Sequence, residues 1–165
     1  MEARVKLLGH PVHQMLIVLP LGLLSGAVIF DIINLAVPGR EWNIVAYWLI
    51  LTGVITGAFA AIFGFLDYLK IPRNTRAKRV GRIHGIGNVV VLWFFALSWW
   101  VRDGAVNDPI YAAYALSFVG GALSLITGWL GGELVDRLSV GVDDGANLNA
   151  PSSLKVRSVS GDQAA

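Results

Sequence analysis

The chain has 165 residues, of which 55% are hydrophobic and only 15% are charged, against roughly 25% charged in soluble domains. This composition, with a mean hydropathy of +0.63, excludes an ordinary water-soluble globule. The net charge of +2 is too small to predict a nucleic-acid partner, and the absence of cysteine excludes disulfides and thiolate chemistry.

Four segments without Asp, Glu, Lys or Arg follow one another along the chain: residues 7–30, 42–66, 83–101 and 109–132. About 20 helical residues cross a hydrocarbon core roughly 30 Å thick, and a helix satisfies its backbone hydrogen bonds within one segment. The sequence therefore predicts an all-α fold, an integral membrane four-helix antiparallel bundle within residues 1–140. We expect its helices near residues 14–36, 44–69, 85–101 and 110–131.

Basic residues are divided unequally between the two ends of this predicted bundle. Eleven Lys and Arg fall at the end that carries both termini and the loop of residues 70–82, whereas only Arg40 and Arg102 fall at the other end. The positive-inside rule then predicts cytoplasmic termini in a multi-pass protein of the cytoplasmic membrane. An aromatic belt is predicted at the opposite end, formed by Trp42, Tyr47, Trp48, Trp99, Trp100, Tyr111 and Tyr114.

Small residues recur at intervals that allow close helix packing. They are Gly22 and Gly26 in the first predicted helix, Gly53, Gly57 and Ala61 in the second, and Gly120, Ser124, Gly128 and Gly132 in the fourth. We expect these residues to lie where helices approach one another, with no chemical role.

The last part of the chain differs in composition from the bundle. Residues 141–165 are polar and show no helical period. They are predicted to form a flexible cytoplasmic tail.

Ionisable side chains gather at the end that carries the termini. The topology brings all three histidines there, together with carboxylates from the second and fourth helices. Such groups near a membrane are costly to desolvate and are candidates for function. The candidate cofactor ligands are His10, His13 and His84, the further metal ligands are Asp67 and Glu133, and the supporting residues are Asn88, Asp136, Arg79 and Arg82.

Two kinds of cofactor suit this cluster. Imidazoles bind zinc, copper and iron, while added carboxylates favour harder transition metal ions. Haem b is the second possibility, with iron between His84 and either His10 or His13, and with its propionates on the arginines of residues 73–82. Proton handling is a third use of the cluster, and simple ion pairs with the basic loop or Arg137 are the plain alternative.

Asp31 stands alone near the other end of the first predicted helix. A carboxylate at this depth is either a proton or ion relay or a partner of Arg40 or Arg102. We favour the structural ion pair.

Three segments carry a resemblance to a known family: residues 8–16 (Leu-Gly-His-Pro-Val-His-Gln-Met-Leu), 79–88 (Arg-Val-Gly-Arg-Ile-His-Gly-Ile-Gly-Asn) and 128–135 (Gly-Trp-Leu-Gly-Gly-Glu-Leu-Val). They resemble the DUF2231 family of bacterial membrane proteins. The resemblance implies a four-helix membrane protein, and because some relatives are joined to Rieske-type iron–sulfur domains it implies membrane electron transfer with an iron–sulfur partner. Many relatives carry His at the position of Glu133.

These observations favour a small haem- or metal-binding redox component that is not an enzyme on its own. The lipid bilayer is one expected partner, and a redox protein or a second copy of the chain is another. A non-catalytic subunit or scaffold that packs through its glycine-rich helix faces is the first alternative. A proton-coupled transporter that works as an oligomer is the second.

Overall fold

The computed structural model describes residues 1–102 and 111–154. A short hairpin of β1 (Lys6–Leu7) and β2 (His10–Pro11) precedes α1 (Val12–Leu16) and α2 (Val18–Ala36). The chain continues through α3 (Arg40–Lys70), α4 (Arg76–Arg102) and α5 (Tyr111–Gly132), and α5 ends in a π-helical turn, Glu133–Arg137. Four helical stretches are long and apolar enough to span a membrane, Val12–Ala36, Arg40–Lys70, Arg76–Arg102 and Tyr111–Arg137, which confirms the predicted four-helix membrane fold.

The β-hairpin fixes the approach of the chain to α1. Lys6 pairs with Pro11 and Leu7 with His10, so the two connecting residues, Leu8 and Gly9, form the turn. Both have positive φ, 51° and 88°, as the central residues of a type I′ hairpin require. His10 therefore lies on β2, whereas His13, three residues later, lies on α1.

α4 begins at Arg76, nine residues before its predicted start at residue 85. The Thr75 hydroxyl accepts the backbone N–H of Lys78 at 3.1 Å and caps the helix. A criterion based on charge-free residues misses these first turns, because long cationic side chains on a helix end reach the headgroups or water. His84 consequently lies two turns inside α4, and the connection to α3 is only residues 71–75.

Arg102 lies just beyond the charge-free segment of residues 83–101, yet it closes α4 and is buried. Residues 103–110, between α4 and α5, lie outside the described residues. So do residues 155–165 of the predicted tail. Within the described part of the tail, Gly141 donates its N–H to the Met1 carbonyl at 2.9 Å, so this stretch contacts the start of the chain.

Side chains from α2, α3 and α4 form the centre of the core, namely Leu24, Ala27, Ile50, Val91 and Phe95, and Leu123 of α5 packs against them. Glycines let the helices approach: a Cβ would lie 2.6 Å from Leu24 at Gly53, 2.7 Å from Leu92 at Gly57 and 2.9 Å from Phe95 at Gly120. The predicted packing role is therefore correct for these three glycines.

The predicted packing role is wrong for three other glycines. Gly22, Gly128 and Gly132 have no described atom within 4 Å of the position that a Cβ would take. Spacing alone identified a row of small residues on three of the four helices, but it does not say which side of a helix meets a neighbour.

The two halves of the bundle repeat with a period of 71 residues. Identical residues stand at this offset in ungapped register: His13 and His84, Val18 and Val89, Leu21 and Leu92, Pro38 and Pro109, and Ile-Thr-Gly at 55–57 and 126–128. Buried positions follow the same offset: Leu24 and Phe95, Ala27 and Ser98, Asp31 and Arg102, Asn43 and Tyr114, and Ala46 and Ser117. The bundle is thus built from two related helical hairpins, α2–α3 and α4–α5.

Candidate functional site

Polar groups concentrate at the two ends of the bundle, which we name by their contents. The histidine end carries the β-hairpin, the α3–α4 connection and the π-helical turn. The ion-pair end carries the α2–α3 connection and the last turn of α4. The sequence predicted candidate ligands at the histidine end, and the structure shows hydrogen-bonded polar side chains at both ends.

His13 lies on α1 and contacts α3. Its Nδ1 is 3.0 Å from the carbonyl oxygen of Ala60. The ring fits against Gly64, where a Cβ would come within 2.7 Å of its Cε1. Because a carbonyl oxygen only accepts, Nδ1 carries the proton and Nε2 keeps its lone pair. Within residues 1–102 and 111–154, no hydrogen bond engages that Nε2.

His84 repeats this arrangement in the second hairpin. Its Nδ1 is 2.9 Å from the carbonyl oxygen of Thr127 on α5, and its Cε1 lies beside Gly131, where a Cβ would be 3.2 Å away. The Asn88 amide donates to the His84 carbonyl at 2.8 Å and stands 3.2 Å from the ring Nε2. The Thr127 hydroxyl in turn donates to the Asn88 side-chain oxygen at 3.1 Å. Asn88 therefore supports His84, as its i+4 spacing predicted.

The structure places these two histidines at the same end of the bundle. His13 and His84 occupy equivalent positions in the two hairpins, 71 residues apart. Each is held through Nδ1 by a backbone carbonyl of the neighbouring helix, an arrangement that fixes the tautomer of metal-ligating histidines. Nε2 is thus the potential ligand atom of both rings, although in His84 it also faces the Asn88 amide at 3.2 Å.

His10 does not join this pair. It is exposed on β2, and its Nε2 lies 3.3 Å from the Ser153 hydroxyl of the tail. The β-hairpin turns His10 toward the tail, whereas α1 turns His13 into the bundle. The short spacing of the two residues did not reveal that they belong to different elements.

The carboxylates make separate contacts at this end. Asp67 accepts the backbone N–H of Arg4 at 2.6 Å, and Glu133 pairs with Arg76 at 3.3 Å, not with Arg137. Asp136 is exposed on the π-helical turn. Among the described residues, no group of three or more His, Asp or Glu is placed to hold a metal ion.

Arg79 and Arg82 line a cleft with Tyr68 at the corner between α3 and α4. At 100° per residue, Arg82 projects from nearly the opposite face of α4 to His84. Arg76 is instead the arginine that reaches the π-helical turn, through its contact with Glu133.

The ion-pair end contains a buried bidentate salt bridge. The Arg102 guanidinium donates to both carboxylate oxygens of Asp31, at 2.7 and 2.6 Å. Ser98 accepts from Arg102 at 3.3 Å, and Ser117 donates to Asp31. All four residues are buried. The prediction of a structural ion pair for Asp31 is therefore confirmed, with Arg102 as the partner.

A second buried network adjoins this pair. The Asn43 side-chain oxygen accepts from Asn34 at 2.9 Å and from the Tyr114 hydroxyl at 2.8 Å, while the Asn34 oxygen accepts the N–H of Gly39 at 2.8 Å. The sequence predicted no role for Asn34 and Asn43, and it placed Tyr114 in the aromatic belt, whereas Tyr114 is buried in this network. Spacing was the available signal, since Asp31 and Asn34 stand three residues apart, on one side of an otherwise apolar helix.

The fold and its buried polar groups define a multi-pass helical membrane protein. The chain matches the DUF2231 family, described as predicted membrane proteins, over residues 9–144, and it belongs to that family. The matched region includes both hairpins and all three histidines. No curated protein and no solved structure matches the chain.

Proposed function

We propose that this protein binds haem b through His13 and His84 and carries electrons within the membrane. The observation that supports this most is the matched setting of the two imidazoles. They come from equivalent positions in two hairpins, and each donates Nδ1–H to a carbonyl of the next helix. Nε2 is then the atom of each ring that would bind iron, as axial histidines commonly do. For His84 this requires the Asn88 amide, 3.2 Å from that Nε2, to move aside.

The number of ligands favours haem over a free metal ion. Structural zinc takes four protein ligands and catalytic zinc three, and the described residues offer no such group. Haem iron needs only two axial ligands from the protein, because the porphyrin supplies the other four. Arg76 lies on the side of α4 that meets the π-helical turn and is our choice of partner for the haem carboxylates.

Such a cofactor would supply one-electron chemistry, and the protein would supply its position. Iron held by two imidazoles has no open site for substrate, so the protein would be a carrier and not an enzyme on its own. An iron–sulfur protein is the partner suggested by the resemblance to relatives joined to Rieske-type domains.

One observation favours a second candidate, a structural subunit. The His13–Ala60 bond ties α1 to α3, and the His84–Thr127 bond ties α4 to α5. In this alternative the histidines only hold helices together, and the protein serves as a scaffold.

Haem titration of the full-length protein in detergent separates the two candidates. We expect the wild type to bind one haem per chain with the absorption spectrum of a six-coordinate low-spin haem. His13→Gln and His84→Gln should each lose that spectrum, because each removes one axial ligand. His10→Gln is the matched control and should keep it, since His10 faces Ser153.

A wild-type protein that stays colourless throughout the titration would overturn the haem proposal and favour the scaffold. Loss of the spectrum in His10→Gln to the same extent would also contradict it. Metal analysis of the same preparations would detect a bound ion in place of haem.

We also infer that both termini are cytoplasmic, from the eleven to two division of Lys and Arg. A reporter that is active only in the cytoplasm, fused after Ala165, should be active. Activity of a periplasmic reporter at the same site would reverse the orientation.

A further inference from the structure

A strongly basic cleft lies where α3 passes into α4. Its volume is about 570 Å³, and no acidic side chain contributes to its lining. Seven residues form it, four of them cationic: Tyr68, Arg73, Asn74, Thr75, Lys78, Arg79 and Arg82.

Local contacts fix the walls of this cleft. The Lys78 ammonium donates to the Tyr68 carbonyl at 2.7 Å and lies 3.8 Å from the centroid of its ring. The Thr75 hydroxyl donates to the Pro72 carbonyl at 2.8 Å and also caps α4. The cleft is therefore shaped by the helix ends and does not depend on flexible side chains alone.

Three of its arginines lack an anionic partner in the described part of the chain. Other cations at the histidine end are paired, Arg76 with Glu133 and Lys6 with Glu2. Arg73, Arg79 and Arg82 have no carboxylate of residues 1–102 or 111–154 within 4.0 Å. The cleft thus concentrates positive charge that no described acidic residue neutralises, and an anion is the ligand that this charge would recognise.

The surface next to the cleft is apolar and belongs to spanning helices. Ile83 and Ile86 continue the face of Arg79 and Arg82 along α4 and are 52% and 60% exposed. Phe65 and Leu69 are exposed on the last turns of α3. In a bilayer, this surface faces acyl chains immediately beside the basic groups.

We propose that this cleft binds the phosphate headgroup of an anionic phospholipid, whose acyl chains lie along the exposed apolar faces of α3 and α4. Guanidinium groups bind phosphate oxygens with two parallel hydrogen bonds, and Arg79 and Arg82 are one turn apart, so both reach one headgroup. Inorganic phosphate would use only the basic half of this surface, and a lipid uses both halves. The site is independent of the histidine pair, which faces α5 and α3 from within the bundle.

Native mass spectrometry of the full-length protein, released from mixed phosphatidylglycerol and phosphatidylcholine, measures this preference directly. We expect the wild type to retain phosphatidylglycerol in preference to phosphatidylcholine. Arg79→Gln with Arg82→Gln should weaken phosphatidylglycerol binding by about 30-fold. The double Lys variant at the same positions should lose less than the Gln variant, because the charge remains and only the paired hydrogen bonds of each guanidinium are lost.

The matched control is Arg4→Gln with Arg137→Gln, which removes two charges outside the cleft and should leave retention unchanged. An equal loss in this control would overturn the proposal, since it would show a general effect of net charge. Displacement of the lipid by millimolar inorganic phosphate would also overturn it and would assign the cleft to the free anion. Retention of phosphatidylcholine equal to that of phosphatidylglycerol would also overturn the proposal, because the cleft would then not select an anionic lipid.

Discussion

The two ends of the bundle treat polar groups in opposite ways. At the ion-pair end, Asp31 and Arg102 satisfy one another through two hydrogen bonds, and serines complete their contacts. At the histidine end, His13 and His84 each bind a backbone carbonyl through Nδ1. The Nε2 of His84 meets the Asn88 amide, whereas the Nε2 of His13 has no hydrogen bond within the described residues. A polar group in a membrane bundle therefore indicates chemistry only where part of its bonding capacity is left over.

This difference has an energetic basis. Burying two charges costs several kcal/mol, and their attraction offsets that cost only when the geometry is good and the remaining polar atoms are bonded. The ion-pair end meets both conditions. The exception among its described neighbours is Trp99, whose buried Nε1 has no hydrogen-bond partner. The pair is best understood as a structural tie between α2 and α4.

The largest effect should come from breaking that tie. Asp31→Asn leaves the Arg102 charge buried without a counterion, and we expect the free energy of unfolding to fall by about 3 to 5 kcal/mol. Unfolding in mixed micelles with increasing sodium dodecyl sulfate measures the change.

Exchange of the two residues gives a control specific to the repeat. Asp31→Arg combined with Arg102→Asp should recover a substantial part of the loss, because the two positions are equivalent in the related hairpins. A double variant no more stable than the single one would contradict this equivalence.

An intermediate effect is expected from filling the space beside the histidines. At Gly64 a Cβ would lie 2.7 Å from His13, and at Gly131 it would lie 3.2 Å from His84. Gly64→Ala should cost about 1 to 3 kcal/mol and Gly131→Ala less, since overpacking forces each ring from its place. Gly128→Ala is the control without a close neighbour, and a loss there equal to that of Gly64→Ala would refute the account.

A smaller effect should follow removal of one polar contact behind His84. Thr127→Val keeps the shape of the side chain and deletes the hydrogen bond to Asn88. We expect a loss of about 0.5 to 1.5 kcal/mol and, in the haem titration, weaker binding. Unchanged haem affinity together with lower stability would limit Asn88 to a structural role.

The smallest effect concerns exposed ion pairs between the tail and the start of the chain. The pKa of Asp143 lies below its ordinary value of 3.8, chiefly because the Gly145 N–H donates to its carboxylate. The pKa of Lys6 lies above its ordinary value of 10.5, chiefly through its bond to Glu2. The Asp143 contribution is present above about pH 4 and is lost as pH falls through the lowered pKa. The Lys6 contribution is present below its ordinary pKa and is lost as pH rises through the raised one.

Limited proteolysis of residues 141–154 should therefore be slowest between these limits. In Asp143→Asn the acid limb should disappear. Persistence of the acid limb in this variant would assign it to another group.

Much of the fold followed from composition. Four long charge-free segments in a bilayer leave few alternatives to four helices, and their existence was predicted correctly. The start of α4 was predicted wrongly, because Arg76, Lys78 and Arg79 belong to a helix that extends past the apolar region. Charge marks the limit of the hydrocarbon core, and a helix does not have to end there.

Less of the site followed from sequence. The topology correctly brought His13 and His84 to one end, and the i+4 spacing identified Asn88 as a neighbour of His84. The separation of His10 from His13 depends on a two-residue turn, and the partner of Glu133 depends on side-chain direction. The repeat is weak in the sequence, because the two halves share only a few identical residues, which are scattered along their length.

The repeat has a consequence for the history of the protein. If a single hairpin once assembled as a symmetric pair, equivalent positions facing each other across the axis carried the same residue. Two aspartates or two arginines would then have met where Asp31 now meets Arg102. An attractive pair at these positions requires two copies that mutate independently. On that account the salt bridge arose after the hairpin was duplicated, and in the present chain it fixes which half faces which.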